Sequence, residues 1–161
     1  MTIPLFFLAI LTLLIPMSTT AQAKPTCALR PATLAEMRHC YRPLLVFSPD
    51  IADRRLKQQQ SDLDAAADDM MDRFVLFLPV LSHAAGYVTP LDTPYMLLSS
   101  KELENIRNRF HVAENQFAVL LLDEDGSVKL LSSTPVSVDR LNSLIDAMPG
   151  RKAEMQRPHA N

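Results

Sequence analysis

The sequence predicts an α/β domain in which a mixed four-stranded sheet carries helices on both faces. Unbroken apolar runs such as Leu44–Phe47 are typical of strands that are covered on both sides. Amphipathic segments that open with capping residues alternate with these runs along the chain. A tight turn at Asp123–Gly126 predicts that the last two strands form an antiparallel hairpin, which excludes a wholly parallel sheet.

The first helix and strand follow from local signals. Thr33 and Glu36 form a capping-box pattern that predicts a short helix. Pro43 stops this helix, because the residue before a proline is pushed out of the helical region. The apolar run Leu44–Phe47 is the first predicted strand.

The next segment predicts a long helix and an edge strand. Asp50 is expected to cap a helix whose apolar residues recur at helical spacing as far as Met70. The strand Phe74–Leu81 contains Pro79, which cannot donate to a ladder and therefore indicates a sheet edge. The following loop, His83–Leu98, is long for a compact domain, and long loops are often functional or simply tolerated insertions.

The second half of the chain completes the predicted fold. Ser99 opens an amphipathic helix, and Phe117–Leu122 and Val128–Leu131 form the hairpin. Ser137 caps a last helix that is expected to end at Pro149. The order α-β-α-β-α-β-β-α, with two right-handed crossovers before the hairpin, is the thioredoxin arrangement.

The first residues predict export. Leu5–Ile15 is an apolar run that is too short to cross a hydrocarbon core of about 30 Å. The ending Ala21-Gln-Ala23 is acceptable to signal peptidase, so cleavage is expected after Ala23, with an uncleaved anchor as the alternative. The expected organisation is a signal peptide at 1–23, an N-terminal arm with a short helix at 24–41, a thioredoxin-like domain at 42–155 and a disordered tail at 156–161.

Two cysteines remain in the exported chain. Cys27 and Cys40 form an isolated pair, and such a pair usually oxidises outside the cytoplasm. A bridge that closes a loop of this size contributes about 3 kcal/mol in the chain-entropy model and would hold the arm on the domain. His39 beside Cys40 leaves zinc as an alternative, but oxidation is the more frequent fate of exported thiols.

Composition excludes several classes of protein. The 161 residues contain 48% hydrophobic residues, which a disordered chain would lack. There are 16 Lys and Arg against 18 Asp and Glu, so no concentrated basic face is available for nucleic acid. We expect a monomer with no cofactor, no metal and no membrane contact after signal cleavage. Four aspartates are interpreted as a solvated acidic face and not as a cation site: Asp64, Asp68, Asp69 and Asp72.

Several stretches of the sequence resemble a known family. They are Arg42–Pro49, Ile106–Val112, Phe117–Gly126 and Ile145–Arg151, the last followed by Glu154. Over roughly residues 34–155 the chain resembles the domain of unknown function 4174 family. The family is similar to thioredoxin-like and peroxiredoxin-like domains and occurs in exported bacterial proteins and in secreted matrix proteins of the sushi-repeat type. The resemblance implies a fold and export, and it brings no settled activity.

The positions of a thiol active site can be checked on the sequence. In a thioredoxin fold the nucleophilic cysteine follows the first core strand, where this chain has Ser48–Asp53 without a cysteine. The place of the cis-proline is taken by Asn115–Phe117. No catalytic residue is therefore assigned, and an interaction module is predicted. The alternative is a thiol-dependent oxidoreductase or peroxidase-like enzyme that uses Cys27 and Cys40.

A ligand is expected beyond the carboxyl ends of the parallel strands. The candidates there are Ser48, Asp50, Asp53 and Arg54, with Gln116 opposite, and the partner would be an envelope protein or a small ligand. Asp50 and Asp53 also suit helix capping. If this edge is scaffold, the loop at 83–98 is the next candidate. Four arginines are considered as an anion site or, singly, as surface charges and carbonyl caps: Arg54, Arg107, Arg109 and Arg151.

Overall fold

The computed structural model describes residues 27–156, which form one four-stranded sheet with helices on both faces. The elements are α1 (Leu34–Met37), β1 (Arg42–Asp50), α2 (Arg54–Asp64), α3 (Ala67–Asp72), β2 (Val75–His83), α4 (Ser100–Phe110), β3 (Ala118–Leu122), β4 (Val128–Ser132), α5 (Val138–Asp146) and α6 (Pro149–Met155). The sheet order is β2-β1-β3-β4, with β1 parallel to β2 and the other pairs antiparallel. The predicted signal peptide and all but the first residue of the predicted tail lie outside the described residues.

The continuous apolar strands are covered on both sides, as predicted. Leu44 and Val46 of β1 belong to a core cluster that includes residues of α2, α3 and α5. Their neighbours Leu45 and Phe47 point to the opposite face and pack in a second cluster with residues of α1 and α4. Alternate side chains of a strand face opposite sides, so β1 contributes to both cores. The predicted α/β class and mixed four-stranded sheet are confirmed.

The long helix after β1 is shorter than predicted and begins later. Asp50 is the last residue of β1, and its carboxylate accepts from the backbone N–H of Ala52 (2.7 Å). Asp53 is the N-cap, accepting from the N–H of Arg55 (2.9 Å). The helix then breaks at residues 65–66 into α2 and α3. The apolar spacing continues through the break, so periodicity alone does not reveal it.

The edge position of β2 is confirmed, and the loop at 83–98 covers that edge. Phe77 donates to the carbonyl of Pro94 (2.9 Å) and accepts from the N–H of Met96 (3.0 Å), which forms a short bridge at Tyr95. An uncovered strand edge offers unpaired backbone groups to other chains. Part of the long loop therefore protects the sheet.

The end of α5 also differs from the prediction. Helix α5 ends at Asp146, and Pro149 is the first residue of a further helix, α6, instead of a terminator. Proline is favoured at that position because its missing N–H would have no helical partner there. Helix α6 brings Glu154 to Arg42 at the start of β1 and Arg151 to Asp72 at the end of α3.

A fully buried arginine occupies the amino end of β1. Arg42 donates through both terminal nitrogens to the Glu154 carboxylate (2.9 and 3.3 Å) and through one of them to the carbonyl of Arg73 (2.9 Å). Asp123 and Glu124 lie at 3.7 and 3.4 Å from its guanidinium. Burial raises the pKa of Glu124 above its ordinary value. Burial also acts to raise the pKa of Glu154, but the hydrogen bonds and the charge of Arg42 outweigh this effect and lower the pKa overall.

A second buried arginine extends these contacts. Arg151 donates to the carbonyl of Asp72 (2.8 Å) and to its carboxylate, and it lies near Glu154 and Asp146 (3.3 and 3.5 Å). Arg73 forms a two-point pair with Asp146 (2.9 and 3.0 Å), which lowers the pKa of that carboxyl. We call these contacts the ion-pair network; it joins β1, α3, the β3–β4 turn, α5 and α6.

Candidate functional site

The positions that carry the active site in thiol enzymes of this fold contain no cysteine in this chain. The turn between β1 and α2 consists of Asp50-Ile-Ala-Asp53, and Gln116 lies two residues before β3. Residues 27–156 contain no cis peptide bond. The nucleophile that a thioredoxin carries at the start of this helix is therefore replaced by a capping aspartate.

The two cysteines form a disulfide elsewhere. Cys27 and Cys40 are bonded, with their Cα atoms 5.6 Å apart, as predicted. Cys40 is buried and lies just before β1, at the opposite end of that strand from Asp50. Tyr41 also holds the arm by donating its hydroxyl to the carbonyl of Ala28 (2.8 Å). The bridge fastens the N-terminal arm to the domain.

The predicted ligand residues are largely engaged in local structure. Ser48 is fully buried, and its hydroxyl donates to the carbonyl of Asp50 (2.9 Å), so it presents no group to a surface ligand. The carboxylate of Asp50 closes the turn. Asp53 pairs with Arg55 (2.7 Å), and this hydrogen bond lowers the pKa of Asp53. These placements fit capping roles.

The remaining candidates lie on the surface. Arg54 is exposed at the first position of α2, and Gln116 is exposed with its side-chain oxygen bound to the N–H of Ala113 (2.9 Å). Between them, Arg55 stacks over the ring of Phe117 at 4.7 Å from its centre. No local pattern in the sequence indicates this contact, because it joins residues that are far apart in the chain.

The four arginines do not converge on an anion site. Arg107 donates to the carbonyls of Val80 (2.9 Å) and Ala113 (3.2 Å), and burial lowers its pKa. Arg109 reaches the β3–β4 turn, and Arg151 belongs to the ion-pair network at the other end of the sheet. Arg107, Arg109 and Arg151 hold backbone and carboxylate groups, and they do not join Arg54 in an anion site.

An apolar groove lies beside the expected edge of the sheet. It has a volume of about 700 Å³ and runs between α2 and the loop that follows β2. Because β1 and β2 are parallel, their carboxyl ends lead into the same region, where ligands of open α/β sheets bind. Its lining residues are Ile51, Ala52, Leu56, Lys57, Gln60, Ser61, Asp64, Gly86, Tyr87, Val88, Thr89 and Leu91.

The outer wall of the groove is fastened to α2 by Gln60. The hydroxyl of Tyr87 donates to the side-chain oxygen of Gln60 (2.7 Å), and the amide nitrogen of Gln60 donates to the carbonyl of Val88 (3.1 Å). Burial raises the pKa of Tyr87, which keeps its hydroxyl protonated as a donor. No local pattern in the sequence indicates Gln60, Tyr87 or Val88. The length of the loop at 83–98, which contains Tyr87 and Val88, does indicate a candidate region.

Asp64 fastens the same wall at the other end of α2. Its carboxylate accepts from the N–H groups of Leu91 (3.2 Å) and Thr93 (3.1 Å) and from the Thr93 hydroxyl (2.7 Å). Burial opposes ionisation, but the hydrogen bonds from Thr93 and the loop backbone lower the pKa of Asp64 overall. The groove is therefore formed before any ligand arrives.

The aspartates of α2 and α3 do not assemble a metal site. Asp64 binds the loop, Asp69 accepts from Asn142 (3.0 Å), and Asp72 pairs with Arg151. Within residues 27–156 no group of three or more His, Cys, Asp or Glu is arranged to hold a metal ion. The same part of the chain contains no helix long and apolar enough to cross a bilayer.

Solved structures define the class of the fold as thioredoxin-like. Thioredoxin peroxidase I of Plasmodium yoelii shares 24% identity, with a TM-score of 0.57 over 80% of this chain and 84% of that one. The reduced 2-Cys peroxiredoxin of Plasmodium vivax shares 21% identity, with a TM-score of 0.55 over 74% and 84%. The exposed lipoprotein thioredoxin of Streptococcus pneumoniae shares 13%, with 0.50 over 67% and 85%. At these identities the likeness concerns the fold.

The match to a family model is more specific than the similarity of fold. The model of the family described as domain of unknown function DUF4174 matches residues 33–154, and the chain belongs to that family. No curated protein matches the sequence. Charged residues from three of the stretches that indicated the family meet in the ion-pair network: Arg42, Asp123, Glu124, Asp146, Arg151 and Glu154. In these stretches the charged residues serve the fold.

Replacing Asp64 by Asn should loosen the wall of the groove. We expect the free energy of unfolding to fall by about 1 kcal/mol, because the loop donors lose a charged acceptor. Amide hydrogen exchange at Leu91 and Thr93 should accelerate. Since the pKa of Asp64 is lowered, the advantage of the parent protein should be full above pH 3.8, the ordinary aspartate value, and disappear as the pH falls further.

Asp62 provides the matched control for this variant. Its carboxylate accepts from Gln58 on the same helix, outside the loop. Asp62→Asn should leave exchange at Leu91 and Thr93 unchanged. Equal exchange in both variants would show that Asp64 does not hold the wall.

Proposed function

We propose that the protein is an exported binding module that has no redox chemistry and holds an apolar ligand in the groove between α2 and the loop at 83–98. The observation that carries the proposal is the preformed groove at the carboxyl ends of the parallel strands. Val88 and Leu91 on its rim expose 75% and 88% of their surface. Sites of this volume, with mostly apolar walls and a few fixed polar groups, are typical of ligand pockets.

The turn after β1 supports a role without thiol chemistry. A thioredoxin or peroxiredoxin mechanism needs a thiolate at the N-terminus of the following helix, and Asp53 occupies that cap here. The disulfide at Cys27–Cys40 lies at the other end of β1 and fastens the arm. The alternative of a thiol-dependent enzyme would have to work through this bridge, in which Cys40 is buried and Cys27 is exposed.

A tryptophan placed in the groove tests the proposal. The chain contains no Trp, and Ser61 is exposed on the lining face of α2. The probe is 1-anilinonaphthalene-8-sulfonate, an anionic dye whose aromatic rings become fluorescent in apolar sites. Ser61→Trp fills the groove, so dye affinity should fall by about tenfold relative to the parent, which corresponds to about 1.4 kcal/mol.

Gln58→Trp is the matched control on the same helix, because Gln58 is exposed and lies outside the lining. It should keep the dye affinity of the parent, and both variants should keep its melting temperature. If the dye binds the parent and both variants equally, it binds elsewhere and the groove is not the ligand site.

Export is the second part of the proposal. It is supported by the short apolar run before Ala23 and by an isolated cysteine pair that is bonded. Protein recovered from the bacterial periplasm or the medium should have an intact mass that begins at Lys24 and should contain no reactive thiol. A membrane-bound species that retains Met1, or two reactive thiols under non-reducing conditions, would contradict this.

A further inference from the structure

The charges along α2 indicate the kind of ligand. Resting on the function proposed above, we propose that the groove takes an extended peptide with an apolar centre, an acidic group at one end and a basic group at the other. The two ends of the groove carry opposite charge, and a peptide of this composition complements both. A ligand with one charged end would complement only half of the site.

The positive end lies at the start of α2. Arg54 and Lys57 are exposed there, and the first turn contains no acidic residue. Helix N-termini carry a partial positive charge and favour acidic side chains. The helix therefore does not stabilise the charges of Arg54 and Lys57 at this position. Asp53 is already paired with Arg55 (2.7 Å). Within residues 27–156 the side chains of Arg54 and Lys57 make no hydrogen bond or ion pair, and Lys57 lines the groove, so both charges are available to a carboxylate.

The negative end lies where α2 gives way to α3. A recess of about 510 Å³ adjoins the groove at Asp64 and is bordered by Asp68, Asp69 and Asp92. Asp64 is engaged by the loop, and Asp69 accepts from Asn142. Asp68 and Asp92 are exposed, and in the described part of the chain their carboxylates have no partner. A lysine or arginine of the ligand would find its counter-charge there.

The distance along α2 from Lys57 to the start of the recess at Asp64 sets the length of the apolar centre of the ligand. Lys57 and Asp64 are separated by seven helical positions, or about 10 Å along the axis. An extended chain covers this distance in about three residues. A peptide of three apolar residues between charged ends therefore fits the groove.

Three defined probes test the inference. They are the peptide Lys-Lys-Leu-Val-Leu-Glu-Glu, the same peptide with every Lys and Glu replaced by Gln and with blocked termini, and dodecanoate. Affinity is measured by calorimetry, and the site is located from amide chemical shifts at Ser61 and Val88. The charged peptide should bind in the groove about tenfold more tightly than the uncharged one, and added salt should reduce the difference.

Two charge-reversal variants test whether Lys57 recognises the acidic end of the peptide. Lys57→Glu should abolish the advantage of the charged peptide, whereas Lys101→Glu, an exposed lysine in the first turn of α4, should leave it intact. Both variants are checked by melting temperature. An unchanged advantage in Lys57→Glu would overturn the inference.

The other outcomes separate this inference from the proposed function. Equal groove binding of the charged and uncharged peptides would overturn the charge recognition and leave the apolar groove as a site. Tighter binding of dodecanoate than of the charged peptide would overturn the proposal of a peptide ligand and would favour a lipid-like ligand. If no probe moves the groove amides, both the inference and the function proposed for the groove fail.

Discussion

The buried guanidinium of Arg42 is the constraint on which the rest of the structure depends. A charge removed from water costs several kcal/mol unless it is paired and hydrogen-bonded. Arg42 is the first residue of the central strand β1, and none of the residues next to it in the sequence carries a carboxylate. Glu154 must therefore come from α6, while Asp123 and Glu124 come from the β3–β4 turn. The need to neutralise one side chain brings together segments from both halves of the chain.

The two ends of the sheet consequently have different roles. At the amino end of β1 the ion-pair network and the disulfide close the structure. At the carboxyl end the turn at Asp50–Asp53 is cysteine-free, and a groove lies between α2 and the loop after β2, which is hydrogen-bonded to Gln60 and Asp64. Those charged residues of the family stretches that form the ion-pair network lie at the closed end and serve the fold, so they can mark the family without indicating a reaction. The open end is where a ligand would be recognised.

Local signals predicted most of the fold, and contacts between distant residues were missed. Ser99 and Ser137 cap their helices as predicted, because a cap depends on only three or four neighbouring residues. The break between α2 and α3 was missed because the apolar spacing runs through it. The candidate site was predicted by its place at the sheet edge but not by its residues. Gln60 meets Tyr87 across 27 positions, and no local pattern encodes such a pair.

A double-mutant cycle on Arg42 and Glu154 tests most directly whether the network holds the fold together. The free energy of unfolding is measured by urea denaturation for Arg42→Met, Glu154→Met and the double variant. Each single change should cost about 3–5 kcal/mol, because it leaves the other charge buried without its partner. The double variant should cost less than the sum by about 2 kcal/mol. Costs that add to within about 0.5 kcal/mol would contradict this account of the structure.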